Sequence, residues 1–243
     1  MIQAVLFDFG QTLVDSADGF RTAEKDAETK IFQDLDLSSW PEFLSRYREL
    51  RQELHLHSNL SRLALWQAVY AHFDRTPDVA FLLQAEREYW ETVKSMTQPF
   101  PEAREVLEQL ISRYRLGMIT NTQGQAHAAE HRLALFPELG WFFQVVVVAG
   151  EGEVPPKPDP GPFHLCLGQL GVPAQEAVFV GDDWRIDIRG AQEVGLKPIW
   201  LQHRTVTRNW PPVETSVPII TSLEELPQIL STFEGASQGA PLQ

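Results

Sequence analysis

The sequence predicts an α/β protein: a parallel β-sheet covered by helices, with an all-helical module inserted after the first strand. Three observations predict it. Short apolar runs recur along the 243 residues, several of them apolar at nearly every position, as strands buried on both faces must be. Helical patterns lie between the later runs, and this alternation implies right-handed crossovers and parallel pairing. Residues 17–97, by contrast, hold helical patterns and no convincing strand.

In chain order the expected strands are AVLF (4–7), LGMIT (116–120), QVVVVA (144–149), AVFVG (177–181) and KPIWL (197–201), with a weaker PII at 218–220. Helices are expected over 101–114, 159–172 and 187–196. In the first of these, Val106, Leu107, Leu110 and Ile111 form a stripe at helical spacing, and Pro101 suits a first turn. The insert divides into amphipathic stretches near 20–36, 41–55, 60–73 and 78–94. Leu63, Trp66, Val69, Tyr70 and Phe73 share one face, as do Phe81, Leu82, Ala85, Tyr89 and Val93. The expected division is therefore a core of 1–16 with 98–233, a helical insert of 17–97, and a small polar tail, 234–243, with too little apolar surface to order itself.

Composition narrows the classes of function. Apolar residues make up 43% of the chain, and no window approaches the roughly 18 consecutive apolar residues of a membrane span. The N-terminus enters the first strand without a basic n-region, so no signal peptide is expected. Together with a single cysteine, Cys166, this suits a reducing cytoplasm. Cys166 lies among Phe163, Leu165, Leu167 and Leu170 and reads as core filling. A net charge of −13 argues against nucleic acid as a partner, while a few placed cations and a metal would suffice for a small anion. Trp40, Trp66 and Trp90 suit a core more than a dimer contact, so monomer and homodimer both stay open.

In a parallel α/β sheet, ligands bind outside the carboxyl ends of the strands. Four polar groups fall there: Asp8, then Thr120 and Asn121, then a loop carrying Lys157, then Asp182, Asp183 and Asp187. Carboxylates hold a hard cation such as Mg²⁺. A lysine and a hydroxyl neutralise and orient an anion, and a carboxylate left free can attack as a nucleophile. Taken singly, each group has an ordinary alternative as a cap, a turn residue or a surface charge.

Taken in order, the stretches LFDFGQTL, MITNT, KPDPGPF and VGDDWRIDIRGA resemble the haloacid dehalogenase superfamily, in the branch with a helical cap after the first strand. The resemblance spans nearly the whole chain. It implies a Rossmann-like core, Mg²⁺ and a small phosphorylated substrate. It implies that Asp8 is the nucleophile that forms a covalent aspartyl intermediate, and that the Thr120 hydroxyl, with Asn121 beside it, binds the transferring phosphoryl group. Lys157 would hold the nucleophile and phosphate oxygens together. Asp182, Asp187, Asp8 and the Gly10 carbonyl would hold the metal, and Asp183 would act through water or as a partner of the ligands. Thr12 would hold the loop and the phosphate.

One position departs from the pattern. Family phosphatases usually carry a second aspartate two residues after the nucleophile, where Gly10 stands, and a glycine where Gln11 stands. The missing acid protonates the leaving oxygen and then activates water, a task worth about 10²–10⁴ in rate. Three readings follow: a Mg²⁺-dependent phosphatase, carbon–halogen or carbon–phosphorus cleavage, and a binder without turnover. Carbon–phosphorus cleavage additionally asks for a cap lysine, and the insert offers only Lys25, Lys30 and Lys94. Retention of Asp182, Asp183 and Asp187 favours the phosphatase, because halide displacement has no use for a divalent cation.

Two further groups are candidates. Arg46, Tyr47, Arg51, His55, His57 and Trp66 in the insert could read a leaving group, Arg51 foremost, or could form a solvated face of arginine–glutamate pairs. His203, Arg204 and Arg208, past a strand end, could flank the site or form a surface loop, and the loop is the favoured reading.

Overall fold

Strand β1 (Ala4–Phe7) lies in the middle of the sheet, and all four of its residues are fully buried. In the computed structural model, which describes all residues except 58, 123–130, 151, 207–209 and 236–243, β1 pairs in parallel with two neighbours. These are β4 (Arg115–Asn121) and β6 (Ala177–Gly181), with Phe7 opposite Met118 on one side and Val180 on the other. β5 (Val145–Ala149), β7 (Lys197–Leu201) and β8 (Ile219–Ile220) complete a six-stranded parallel sheet of order β5-β4-β1-β6-β7-β8. The expected α/β architecture is therefore observed. A separate antiparallel ladder joins β2 (Val14–Asp15) to β3 (Gln98–Pro99).

Alternation within the strands divides the apolar residues between the two faces. On one face Val5, Phe7, Met118 and Val180 pack with Leu107 and Leu110 of α5 (Ala103–Ile111) and with Leu226 and Leu230 of α9 (Leu226–Gly235). On the other, Leu6, Ile119 and Phe179 pack with Phe163, Cys166 and Leu170 of α7 (Pro160–Leu170). Burial pushes the Cys166 thiol up to about 12, so it behaves as an apolar filler.

Several helices are shorter than their patterns suggest, and each end has a local cause. Asp159 caps α7 through Gly161 N, and Gly171 ends it in the left-handed conformation at φ 65°. α5 starts only at Ala103, with Pro101 left in the preceding turn. The helix expected over 187–196 begins instead as a widened π-type turn, Trp184–Ile188, and continues as α8 (Arg189–Glu193). α6 (Pro137–Gly140) and α9 were not anticipated as elements.

Residues Ser16–Thr97 form a compact unit of their own. Its helices are α1 (Ala17–Asp34), α2 (Trp40–Leu56), α3 (Arg62–His72) and α4 (Val79–Ser95). Trp66 and Trp90 are buried in this unit's core, with Trp40 packed against it. Tyr47 and Trp66 are fully buried, and Trp66 Nε1 donates to the Tyr47 hydroxyl at 3.1 Å. Arg51 pairs with Glu24 at 3.1 Å and Arg46 with Glu49 at 3.1 Å. His55 is half-buried and His57 exposed.

His203 departs from the surface-loop expectation. It is buried, its Nε2 lies 2.9 Å from Glu102 Oε1, and its ring stacks on Phe100 at 3.6 Å. Ser222 Oγ donates to the same carboxylate oxygen at 2.9 Å. The partners that bury it stand about a hundred residues earlier in the chain, beyond any local pattern. Arg204 is exposed and faces Glu224 at 3.6 Å, while Arg208 and the tail after residue 235 lie outside the described residues. Among the described residues, no helix is long and apolar enough to cross a membrane.

Candidate active site

The chain leaves β1 directly into the site. Asp8 N donates to Val180 O at 2.9 Å, which continues the strand register for one more residue. The chain then doubles back: Leu13 N donates to Phe9 O at 2.9 Å, and Gln11 N to Val14 O at 2.7 Å. Gln11 reaches this turn only at φ 58°, a left-handed conformation that favours glycine. Thr12 is fully buried in the turn, and its Oγ1 has no hydrogen-bond partner among the described residues.

Lys157 is the hub. Its ammonium, 1% exposed, lies 2.8 Å from Asp8 Oδ1 and 2.7 Å from Asp187 Oδ1. Burial alone would lower its pKa, but Asp187 and Asp8 outweigh that and hold it above the ordinary lysine value. Asn121 fixes the lysine's backbone: its amide donates to Lys157 O at 3.0 Å and accepts from Lys157 N at 2.9 Å. Asn121, expected among the phosphate-binding residues, thus has both amide atoms engaged in positioning the lysine.

Thr120, at the end of β4, is buried with its Oγ1 3.2 Å from His131 Nε2. His131 Nδ1 accepts from Leu133 N at 3.1 Å, so in the neutral ring Nε2 carries the proton and donates to Thr120. The threonine's own hydroxyl hydrogen is then left for an incoming anion. Neither His131 nor its neighbour Arg132 stood out in the sequence. Arg132 is 1% exposed, with its guanidinium 5.7 Å over the Phe9 ring.

The acidic loop after β6 sorts its three carboxylates. Asp183 caps the turn that follows, accepting from Arg185 N and Ile186 N, both at 2.9 Å. Asp187 turns back to the strand end, where its Oδ2 accepts from Asp183 N at 3.0 Å. That return needs glycine at 181, because a Cβ there would lie 2.5 Å from the Asp187 Cβ. Burial pushes the Asp187 carboxyl well above its ordinary value; Lys157 pulls it down, while Asp8 and Asp183 push it further up. The Asp182 carbonyl accepts from Trp200 Nε1 at 2.9 Å, which pins the loop to β7.

Asp8, Asp182 and Asp187 each offer a ligand oxygen, and these atoms lie within 4.8 Å of one another. When all three are ionised, one buried ammonium faces three buried carboxylates. The excess negative charge and the all-oxygen donor set both fit a hard divalent cation. Asp8, Gly10, Thr12, Thr120, Asn121, Lys157, Asp182 and Asp187 all belong to the sheet-bearing unit.

A family model for haloacid dehalogenase-like hydrolase matches residues 2–195, which include every one of these positions. The chain belongs to the haloacid dehalogenase-like hydrolases. As a member of that family it is an enzyme, a hydrolase. It is similar to a phosphoglycolate phosphatase of Yersinia pseudotuberculosis, with 31% identity over 216 residues that cover 83% of this chain and 82% of the relative. It is also similar to a glyceraldehyde 3-phosphate phosphatase of Pyrococcus abyssi, with 30% identity over 213 residues, 84% of this chain and 82% of the relative. Among solved structures, a 2-haloacid dehalogenase from Pseudomonas syringae has 29% identity and a TM-score of 0.63, covering 96% of this chain and all of that one.

Proposed function

We propose that this hydrolase is a Mg²⁺-dependent phosphatase of a small phosphorylated metabolite, working through an aspartyl-phosphate on Asp8. One observation carries the reading: Lys157 bridges Asp8 and Asp187 at 2.8 and 2.7 Å inside a cluster of three buried carboxylates. A dehalogenating site gains nothing from such a cluster, whereas phosphoryl transfer needs charge neutralised on its equatorial oxygens. The names of the phosphoglycolate and glyceraldehyde 3-phosphate relatives support a small phosphate monoester.

In this reading Asp8 attacks phosphorus through Oδ2, since Oδ1 is held by Lys157. The lysine keeps the carboxylate oriented and places its charge beside the incoming phosphoryl oxygens. Thr120, its oxygen held by His131, donates its hydroxyl hydrogen to that group. Mg²⁺ bound by Asp8, Asp182 and the Gly10 carbonyl, with Asp187 completing the acidic set, would neutralise charge on nucleophile and substrate. Gly10 has no proton to give, so substrates whose leaving group departs unaided are favoured. We take 1–16 with 98–233 as the catalytic core and 17–97 as the cap domain, in a monomer or homodimer of the cytoplasm, where one buried cysteine suits the reducing conditions.

A panel of sugar phosphates, small phosphorylated acids, an aryl phosphate and a chloro-acid, each with and without EDTA, tests the proposal. Phosphate release that needs Mg²⁺ and disappears in Asp8→Asn is the expected result. Halide release indifferent to EDTA, without phosphate release, would establish the dehalogenase instead. Mg²⁺ binding with no turnover of any substrate would leave a binder.

A further inference from the structure

The side of the nucleophile loop that lacks an acid carries a buried cation. A Cβ built on Gly10 would lie 3.0 Å from Arg132 Nη2 and 3.9 Å from Cζ and Nη1, so the guanidinium meets this position end-on. At 1% exposure Arg132 is as buried as Lys157, and Phe9 lies under its guanidinium at 5.7 Å. The preceding residue, His131, holds Thr120. Two consecutive residues thus reach both the phosphoryl-binding hydroxyl and the position from which the usual second acid would project.

We propose that Arg132 binds the leaving-group side of the substrate, its guanidinium taking the negative charge of the departing oxygen in place of a general acid. The proposal rests on the phosphatase reading above. Arginine does not deprotonate in proteins, so it cannot transfer the proton that an aspartic acid would supply. It can form charge-assisted hydrogen bonds, which are strongest where an oxyanion develops in a water-poor site. As an Asp8 oxygen bonds to phosphorus, the bond from phosphorus to the ester oxygen breaks and its electron pair stays on that oxygen. The guanidinium holds this charge until water supplies the proton. After hydrolysis the fourth oxygen of inorganic phosphate occupies the same side and meets the same cation.

A second consequence distinguishes this arrangement from simple loss of an acid. An aspartate placed at position 10 would project onto the guanidinium, and a neighbouring cation holds a carboxyl in its ionised form. Gly10→Asp alone would therefore gain an ion pair and no proton donor.

The experiment combines a binding readout with a leaving-group series. Inorganic phosphate binding in the presence of Mg²⁺ is measured by calorimetry for the wild-type protein, Arg132→Gln and Arg132→Lys. Values of kcat/KM are then measured over aryl and alkyl phosphates of graded leaving-group acidity. Arg132→Gln should weaken phosphate binding by about tenfold or more. It should lower kcat/KM by about 10²–10³ for poor leaving groups and far less for good ones, with Arg132→Lys recovering part of both. Gly10→Asp should give no gain alone, yet should raise alkyl phosphate turnover when combined with Arg132→Gln. Gly10→Ala presses a methyl group on Nη2 without deleting the cation, so it should move both readouts in the same direction should Arg132→Gln fail to fold. Phosphate affinity that depends on Arg132 in a protein that hydrolyses no ester would overturn the phosphatase reading and the leaving-group role with it, leaving Arg132 as an anion ligand only. Hydrolysis with unchanged phosphate affinity and leaving-group dependence in folded Arg132→Gln or in Gly10→Ala would overturn this role and not the phosphatase.

Discussion

Gly181→Ala tests whether the cluster depends on the close return of Asp187 to the end of β6. The new methyl carbon would lie 2.5 Å from Asp187 Cβ and 2.6 Å from Cγ and Oδ2. Ordinary contacts begin near 3.4 Å, so the two groups must part by about 0.9 Å. Asp187 Oδ1 is 2.7 Å from Lys157 Nζ, and a shift of that size removes the hydrogen bond. Lys157 is then held by Asp8 alone, and in the proposed mechanism the nucleophile loses its orientation. A displacement of about 1 Å in a catalytic constellation costs about 10²-fold in kcat. Overpacking at a buried position costs about 1–3 kcal/mol, or about 2–12 °C in Tm for a unit of this size. Gly168→Ala is the matched control, because nothing lies within 4 Å of a Cβ there and the site is an exposed helix position. It should gain about 0.5–1 kcal/mol with no effect on rate. The assays are thermal unfolding and kcat with an aryl phosphate. Gly181→Ala with wild-type kcat and Tm would refute the reasoning, since it would mean that Asp187 has room to spare.

Gln11→Gly should stabilise the protein by about 0.5–1 kcal/mol, because Gln11 sits at φ 58° where an L side chain is strained; a lower denaturant midpoint would count against this. Asp187, raised from 3.8 to about 7, gives the cation-free protein a definite pH response. Between those values the folded state holds a proton that the unfolded state has lost, so stability rises as pH falls through about 7 and levels off below about 4. On the proposed reading Mg²⁺ competes with that proton, and the rise in Tm on adding Mg²⁺ should be larger at pH 8 than at pH 5.5; equal rises at the two pH values would contradict the assignment.

The sheet was legible because its strands are short apolar runs, β1 and β6 buried along their whole length and β5 and β7 in part: all four fall within one residue of the expected runs. The acids at strand ends were legible for the same reason, since a carboxylate at the mouth of an apolar run stands out. What those residues do to one another was not. Nothing local says that Asn121 clamps the backbone of Lys157, or that Asp183 turns its oxygens to Arg185 N and Ile186 N while Asp187 returns to the lysine. His203 looked like a loop residue because Glu102 and Phe100, which bury it, belong to another element. His131 and Arg132 were missed because a buried polar pair in a short 3₁₀ turn has neither helical nor strand periodicity. The one signal available was the departure at position 10, which asks what fills the space of the missing side chain.

That question couples two positions far apart in the chain. With Arg132 Nη2 only 3.0 Å from the Gly10 Cβ direction, any side chain at position 10 forces the guanidinium to give way by a few tenths of an ångström. Arg132 is buried, and the residue before it, His131, holds Thr120. Glycine at 10 leaves the guanidinium of Arg132 in place, whereas an aspartate at 10 pairs with it only after pushing it aside. Measured stabilities of the two single variants and the double variant should then be strongly non-additive, because both act on one contact. Additive losses would mean that the guanidinium moves freely and that the glycine reflects only the turn. Neither position belongs to the carboxylate cluster around Lys157, so on the reading proposed above the charge-neutralising half of the site persists while a cation stands where the proton-transfer half would be.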